Sequence, residues 1–236
     1  MNLPRILLPS IALLGAFILA GCTCLATQSS NPLLTSTSRM IAPGQTEVRG
    51  VYGYLHYDPS YDNLGLALKF APDSSLNVQL LGIRQDVAYP GLHAPGLGGQ
   101  FNLQYRPRDW NRNTAILCGG GAIFSDQGNL ASIHAGFALS SLGADFEIAL
   151  PVETYYSYPW NNPKYLVTDF FWSGEGTTPT GWQSQKPTFG FYGAPSLTLR
   201  FTQHFDTRFG VPVGFAFSSN GPALLAGLEL SAAYLF

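Results

Sequence analysis

A serine, a histidine and a glutamate in the middle of the chain carry the groups needed for hydrolytic chemistry. Ser132 and His134 are separated by one residue, which places both on the same face of a strand. A hairpin turn across Leu142-Gly143 would bring Glu153 beside Ser132. A serine nucleophile, an imidazole base and a carboxylate that orients the base are required for acyl-ester hydrolysis. The alternative applies if the chain forms a narrow β-barrel: these polar side chains would then only fill its interior.

This set of residues loosely resembles the site of the lipid A deacylase barrels. The order in that family is His-x-Ser, whereas the order here is Ser132-Ile133-His134. The resemblance implies a small lipid-modifying hydrolase, which we keep as an alternative function.

Other motifs in the chain predict no cofactor and no metal. The Gly119-Gly120-Gly121 run is not followed by the Lys-Ser or Lys-Thr of a phosphate loop, and its strand context favours a bulge or a close backbone approach. The net charge of −2 and the lack of a basic stripe argue against a nucleic-acid partner. Four histidines are scattered without the spacing of a metal site: His56, His93, His134 and His204.

The N-terminal leader ends in Leu19-Ala20-Gly21-Cys22. Arg5 provides a basic start, and residues 6–20 form an apolar stretch shorter than a typical transmembrane helix. The pattern resembles the lipobox of bacterial lipoprotein precursors, over residues 1 to about 24. The resemblance implies cleavage before Cys22 and acyl chains such as palmitate on that cysteine, and Thr23 favours the outer membrane. An ordinary secretory signal and an uncleaved anchor are the alternatives.

The composition of the rest of the chain is unusual for a soluble protein. Charged residues make up 11% and aromatic residues 14% of the sequence, whereas about 25% of residues are charged in typical soluble proteins. No run of 18 or more apolar residues follows the leader, which excludes a helical membrane span there. Apolar enrichment without long apolar runs is typical of strands with alternating polarity.

Segments of alternating polarity recur between turn signals after residue 44. One face of the last segment carries Leu228, Leu230 and Tyr234, and the other carries Glu229 and Ser231. We predict strands at residues 45–57, 62–71, 75–86, 96–107, 112–124, 130–140, 143–154, 187–203, 206–218 and 222–236.

The last strand ends in Tyr234-Leu235-Phe236. A terminal aromatic residue resembles the assembly signal of bacterial outer-membrane β-barrels, so Tyr234 and Phe236 are the expected signal. The pattern as a whole resembles small OmpA- and OmpW-type barrels. This resemblance implies an antiparallel transmembrane barrel of 8–10 strands. Its expected partners are outer-membrane lipids and the barrel-assembly and lipoprotein-export machineries.

The expected connections support one topology. Residues 71–74, 140–143 and 204–206 form short connections, whereas residues 85–95 and 155–186 form long ones. Short periplasmic turns and longer external loops are typical of these barrels, so both ends of the domain would lie in the periplasm. The alternative fold is a soluble β-sandwich lipoprotein, which also needs many short strands.

The longest connection, residues 155–186, is rich in aromatic residues. Exposed aromatics at this density favour binding of a glycan, a lipid headgroup or a protein, and the alternative is a lid that packs on itself. The expected binding residues are Tyr158, Trp160, Tyr165, Trp172 and Trp182.

The sequence therefore predicts three regions. Residues 1–21 are a cleaved signal peptide, residues 22–44 a flexible tether from lipidated Cys22, and residues 45–236 a β-barrel with a long surface loop. We expect an outer-membrane lipoprotein with a structural or surface-binding role and no catalysis.

Overall fold

The computed structural model describes residues 37–56, 60–88, 95–125, 128–160, 164–168, 179–184, 186–218 and 221–236. All regular secondary structure within these ranges is β-strand. The strands are β1 (Thr46–His56), β2 (Ser60–Phe70), β3 (Leu76–Ala88), β4 (Gly96–Tyr105), β5 (Thr114–Ser125), β6 (Gly128–Leu142), β7 (Phe146–Trp160), β8 (Lys164–Thr168), β9 (Pro179–Ser184), β10 (Thr188–Gly193), β11 (Ser196–Arg200), β12 (Phe205–Gly210), β13 (Val213–Ser218) and β14 (Gly221–Leu235).

Twelve of these strands form one closed antiparallel sheet. Strands β1 to β7 pair in sequence order, and β14 pairs with β1 to close the ring. Strands β10 and β11 both pair with β7 and form one barrel strand in two segments, as do β12 and β13, which both pair with β14. The result is a ten-stranded barrel, so the predicted barrel is confirmed and the β-sandwich alternative is wrong.

The two split barrel strands are interrupted at prolines. Pro195 lies between β10 and β11, and Pro212 between β12 and β13. Proline has no backbone N–H, so it cannot complete a ladder hydrogen bond inside a sheet. Their carbonyls still accept bonds, from the N–H of Val211 at 3.0 Å and of Gly227 at 2.9 Å respectively.

Side chains alternate between the two faces of the barrel as the sequence predicts. Leu228 and Leu230 are 47% and 52% exposed on the outer face, whereas Glu229 between them is 1% exposed and faces inward. The apolar belt is the ring of outward-facing apolar side chains that this pattern produces on successive strands. Its members include Leu66, Leu68, Phe101, Ile133, Phe137, Ile148, Leu150, Phe191, Leu197, Phe209, Leu228 and Leu230.

Two glycines on the inner face show how the sheet achieves its curvature. A Cβ atom on Gly136 of β6 would collide with the carbonyl oxygen of Val152, and one on Gly214 of β13 with that of Phe191. Only a residue without a side chain permits such close approaches. Kinks at glycines are one means by which a sheet curves enough to close a small barrel.

Both chain ends of the barrel lie at one mouth, which we call the terminus end, and the opposite mouth is the loop end. The turns at the terminus end join β2 to β3, β4 to β5, β6 to β7 and β11 to β12. In the first of these turns, Ser75 donates two hydrogen bonds to Asp73, which lower the pKa of that exposed carboxyl. Within the described ranges, no helix is long and apolar enough to cross a bilayer.

The longest connection begins later in the chain than the sequence predicts. Strand β7 continues to Trp160 because it pairs with β6 up to Asn129, so residues 155–160 belong to the barrel wall and not to a loop. Strands β8 and β9 form a separate two-stranded sheet within the remaining connection.

The last part of the predicted flexible tether, residues 22–44, is in contact with the barrel. Residues 37–44 have no strand or helix, yet they contact the barrel: Thr37, Ser38 and Ile41 are buried, and the backbone N–H of Gly44 bonds to Ala71. Cys22 and the signal peptide lie outside the described residues.

Candidate functional site

The half of the lumen nearest the terminus end is filled by charged side chains. We call these the charged layer, and Arg49 lies at its centre. The Arg49 guanidinium donates to Glu47 Oε1 at 3.1 Å, to Asp206 Oδ1 at 2.7 Å and to Ser231 Oγ at 3.0 Å. Its members are Glu47, Arg49, Lys69, Glu147, Arg200, Asp206, Arg208 and Glu229.

Further ion pairs join neighbouring strands within the charged layer. Lys69 Nζ lies 3.9 Å from Glu47 Oε1, and Arg200 Nη2 lies 3.5 Å from Glu147 Oε2. Arg200 also donates to the carbonyl of Gly143 in the turn before β7, at 2.9 Å. Because buried charges are tolerated when they are paired and hydrogen-bonded, this arrangement lets ionic side chains occupy the lumen.

The crossing segment, residues 37–41, lies over the charged layer. The N–H of Ser38 donates to Ser140 Oγ at 3.1 Å, and the side-chain amide of Gln104 donates to the carbonyls of Thr37 and Arg39. The Arg39 guanidinium lies 3.5 Å from Asp206 Oδ2. Ser140 belongs to β6, the strand opposite β1 in the ring of ten. The segment therefore spans the terminus end across its diameter.

The half of the lumen nearest the loop end contains buried uncharged polar side chains, among them Asn63, Gln85 and Ser157, beside apolar and aromatic ones. Val51, Leu81 and Ile83 pack in one buried apolar cluster. The rings of Tyr155 and Tyr192 lie 5.8 Å apart on the inner face of β7 and β10. The lumen thus has a charged layer near the terminus end and, towards the loop end, a mixture of polar, apolar and aromatic side chains.

The predicted hydrolytic residues lie in this lumen, but in a different register. Ser132 lies opposite Ser157 and not beside Glu153, which lies opposite Gly136. The register differs because the turn between β6 and β7 spans residues 143–145, closed by the Gly143 N–H to the Phe146 carbonyl at 2.8 Å, and is longer than two residues.

The histidine and the glutamate of this set do meet. His134 Nε2 lies 3.7 Å from Glu153 Oε2, and both side chains are buried. Ser132 Oγ and His134 Nδ1 have no hydrogen-bond partner, so no bond joins the serine to the imidazole. The three residues share one wall of the lumen without forming a hydrogen-bonded triad. Among the described residues, no group of histidines, cysteines and carboxylates is placed to hold a metal ion.

Two predicted binding residues lie on the outer face of β7. Tyr158 is 53% exposed there, and the Trp160 ring meets Phe124 edge-on at 5.8 Å. Both positions are near the loop end of the apolar belt, where aromatic girdles are found in membrane barrels. Tyr165 lies on β8 and Trp182 on β9, opposite Leu166. Trp172 lies outside the described residues.

The predicted assembly signal lies at the opposite edge of the apolar belt. The rings of Tyr234 and Phe236 contact each other edge-on at 4.8 Å on the outer face. The N–H of Phe236 donates to the carbonyl of Thr46 at 2.8 Å, so the last residue contributes to barrel closure. Cys118, on β5, is a free and exposed thiol.

These features define a closed ten-stranded antiparallel β-barrel with a polar lumen and an apolar exterior.

No protein-family model matches the chain, and no curated protein matches it. Three similar solved structures are also barrels. The N-terminal β-barrel domain of Pseudomonas aeruginosa OprF is 12% identical over 83% of this chain and 100% of its own, with a TM-score of 0.35. An outer membrane channel from Pseudomonas putida F1 is 11% identical over 90% and 100%, with a TM-score of 0.45. Neisserial surface protein A is 12% identical over 81% and 94%, with a TM-score of 0.35.

Proposed function

We propose that this protein is an integral outer-membrane β-barrel lipoprotein with a closed lumen, which serves as a structural or surface-binding element. Its lipid would be attached at Cys22. Its binding surface would lie in the long connection that contains Tyr165, Trp172 and Trp182. The ligand class is a glycan, a lipid headgroup or a protein.

The dimensions of the apolar belt support membrane integration. On β14, outward positions from Leu224 to Tyr234 cover ten residue steps, or about 33 Å of strand. At a strand tilt of about 40° this corresponds to about 25 Å along the barrel axis, the height of the apolar band in membrane barrels. The opposite-charge pair Arg84–Asp86 on β3, at 3.8 Å, marks the end of the belt towards the loop end.

The crossing segment is the observation that carries the proposal of a closed lumen. It spans the terminus end from β1 to Ser140, and the charged layer lies directly beneath it. A solute passing along the barrel axis would have to displace both. General solute diffusion is therefore not expected, which leaves the outer surface and the loops as the functional parts.

The position of Thr37, the first residue that the structure describes, supports the anchor. Thr37 lies at the terminus end, which also carries the short turns and corresponds to the periplasmic side in barrels of this kind. The 15 residue steps from Cys22 to Thr37 reach about 50 Å when extended. Acyl chains on Cys22 could therefore insert into the periplasmic leaflet beside the barrel, where more than one chain gives stable anchoring.

A membrane-fraction experiment tests the proposal. The wild-type protein and Cys22→Ser should both stay in the membrane after a carbonate wash and should both migrate differently on a gel before and after boiling. Proteoliposomes should show no swelling in small sugars, with an open porin as the positive control. Release of Cys22→Ser into the soluble fraction, or sugar permeation through wild type, would contradict the proposal. The mass of the mature protein reports lipidation independently.

The buried His134–Glu153 pair keeps the hydrolase as a second candidate function. A carboxylate 3.7 Å from an imidazole could orient it as a base, but Ser132 is buried in the lumen and has no bond to that imidazole. Lipid analysis of cells that express wild type or Ser132→Ala decides between the candidates. A change in envelope lipids that disappears with Ser132→Ala would establish the hydrolase.

A further inference from the structure

A groove crosses the apolar belt on its terminus side, over β2, β1, β14, β12 and β11. We propose that this groove binds one acyl chain of a bilayer phospholipid in the terminus-side leaflet. The inference depends on the proposed membrane integration. It adds a lipid-binding site that neither the lumen nor the loops provide.

The groove exists because three outward positions on adjacent strands carry small side chains. Gly50 lies opposite Ala232 in the register of β1 and β14, and Thr207 lies opposite Ala232 in that of β12 and β14. Small outward side chains also lie elsewhere on the belt, as at Gly82, Gly99 and Ala122. The row at Gly50, Ala232 and Thr207 differs because leucine and aromatic side chains surround it, so that it forms the floor of a depression. Its walls are Tyr52, Leu64, Leu197, Leu199, Phe209 and Leu230.

The space above the floor is large and open. The cavity volume is about 480 Å³, within the range of small-molecule sites. A Cβ atom built on Gly50 would meet no atom within 4 Å. No neighbouring side chain of the barrel therefore fills the groove, and a partner from outside must cover its apolar walls when water is excluded.

The depth and chemistry of the groove select an acyl chain. Gly50 is four residues from the start of β1, which is about 13 Å of strand and about 10 Å along a tilted barrel axis. That depth lies within the hydrocarbon of one leaflet. The outward side chains around the groove carry no charge. Arg208 also borders the groove, but its side chain is buried and points into the lumen. The groove is continuous with the belt that the bilayer covers, so a flexible apolar chain fits where a headgroup does not.

Native mass spectrometry of the full chain in mild detergent tests the site, with dioleoylphosphatidylcholine as the probe. The Cys22→Ser background removes the protein's own acyl chains. In this background the barrel should retain one phospholipid, and Gly50→Leu should weaken this binding at least tenfold by filling the groove. Gly82→Leu is the matched control, because Gly82 is also an outward glycine with an open Cβ position but does not line the groove. It should bind as the parent does.

Four outcomes would overturn the inference. Equal binding by Gly50→Leu and its parent would place the lipid elsewhere. Binding by Cys22→Ser but not by the lipidated protein would show that the protein's own acyl chain occupies the groove. A dimer that Gly50→Leu disrupts would assign the groove to a second copy. Absence of any bound lipid on a heat-modifiable, carbonate-resistant barrel would refute the site alone, whereas loss of those two properties would refute the proposed function.

Discussion

Ser38 and Ser140, 102 positions apart in the sequence, are joined by a hydrogen bond of 3.1 Å across the terminus end of the barrel. Ser140 is on β6, so the bond connects the segment before β1 to the opposite wall. This contact places the crossing segment over the lumen and not outside it. The terminus end of the lumen is therefore covered by the segment before β1, above the side chains that the strands direct inward.

Gln104→Ala should release the crossing segment. The Gln104 amide donates to two carbonyls of the segment, and each bond contributes about 0.5–1.5 kcal/mol. Trypsin cleavage after Arg39 in the folded barrel should become faster by roughly tenfold, since about 1.4 kcal/mol corresponds to that factor. Asn102→Ala is the control, because Asn102 bonds to Gln79 instead. Equal cleavage rates in both variants would mean that Gln104 does not hold the segment.

Asp206→Asn should destabilise the barrel by about 3–5 kcal/mol, because it leaves Arg49 and Arg39 without this buried carboxylate. Arg84→Gln breaks an ion pair whose arginine is 62% exposed and should cost at most about 1 kcal/mol. Unfolding in guanidinium from lipid vesicles measures both. Similar costs would show that the charged layer contributes no more than a surface pair.

Leu228→Arg should cost about 2–4 kcal/mol, because Leu228 faces outward near the middle of the apolar belt. Tyr105 also faces outward, but it lies at the end of β4. The cost of a charge near the membrane interface is about 0–1 kcal/mol, so Tyr105→Arg should cost no more than that. Reversible folding in vesicles gives both values. A cost independent of depth would contradict the assignment of the belt to lipid.

The sequence predicts the strands well and the register between them less well. Residues 222–236 are predicted as the last strand, and β14 spans Gly221–Leu235, because alternation of polarity is strong where one face meets an apolar environment. The polarity pattern does not fix the β6–β7 register, which depends on a turn whose length Gly143 and Phe146 set. The extension of β7 beyond residue 154 could have been predicted from the alternation of side chains, since Glu153, Tyr155 and Ser157 continue its inward face.

The crossing segment could not be predicted from the sequence. Its first three residues, Thr37, Ser38 and Arg39, are polar, and such residues are equally common in free tethers. What orders Thr37 and Ser38 is a set of partners from β4 and β6, and these are brought to the terminus end only by the closed barrel. Local sequence contains no record of such long-range contacts.

Phe236 makes two kinds of contact that substitutions can separate. Phe236→Ala keeps the backbone bonds to Thr46 but removes the ring that contacts Tyr234, whereas deletion of Phe236 removes both. If the ring is an assembly signal, Phe236→Ala should lower the amount of assembled barrel in cells but refold normally in vesicles. The deletion should impair both. Normal assembly of Phe236→Ala in cells would show that the terminal aromatic is not recognised.

The tryptophans should separate into two groups by function. Trp160 packs against Phe124 on the outer face of the barrel, so Trp160→Ala should lower stability by about 0.5–1.5 kcal/mol beyond the loss of buried area and leave surface binding unchanged. Trp172→Ala and Trp182→Ala should weaken binding of intact cells to a glycan array or host-protein panel without changing the unfolding midpoint. Binding that is lost with Trp160→Ala and kept with the other two would reverse the assignment and place the contact surface on the barrel wall.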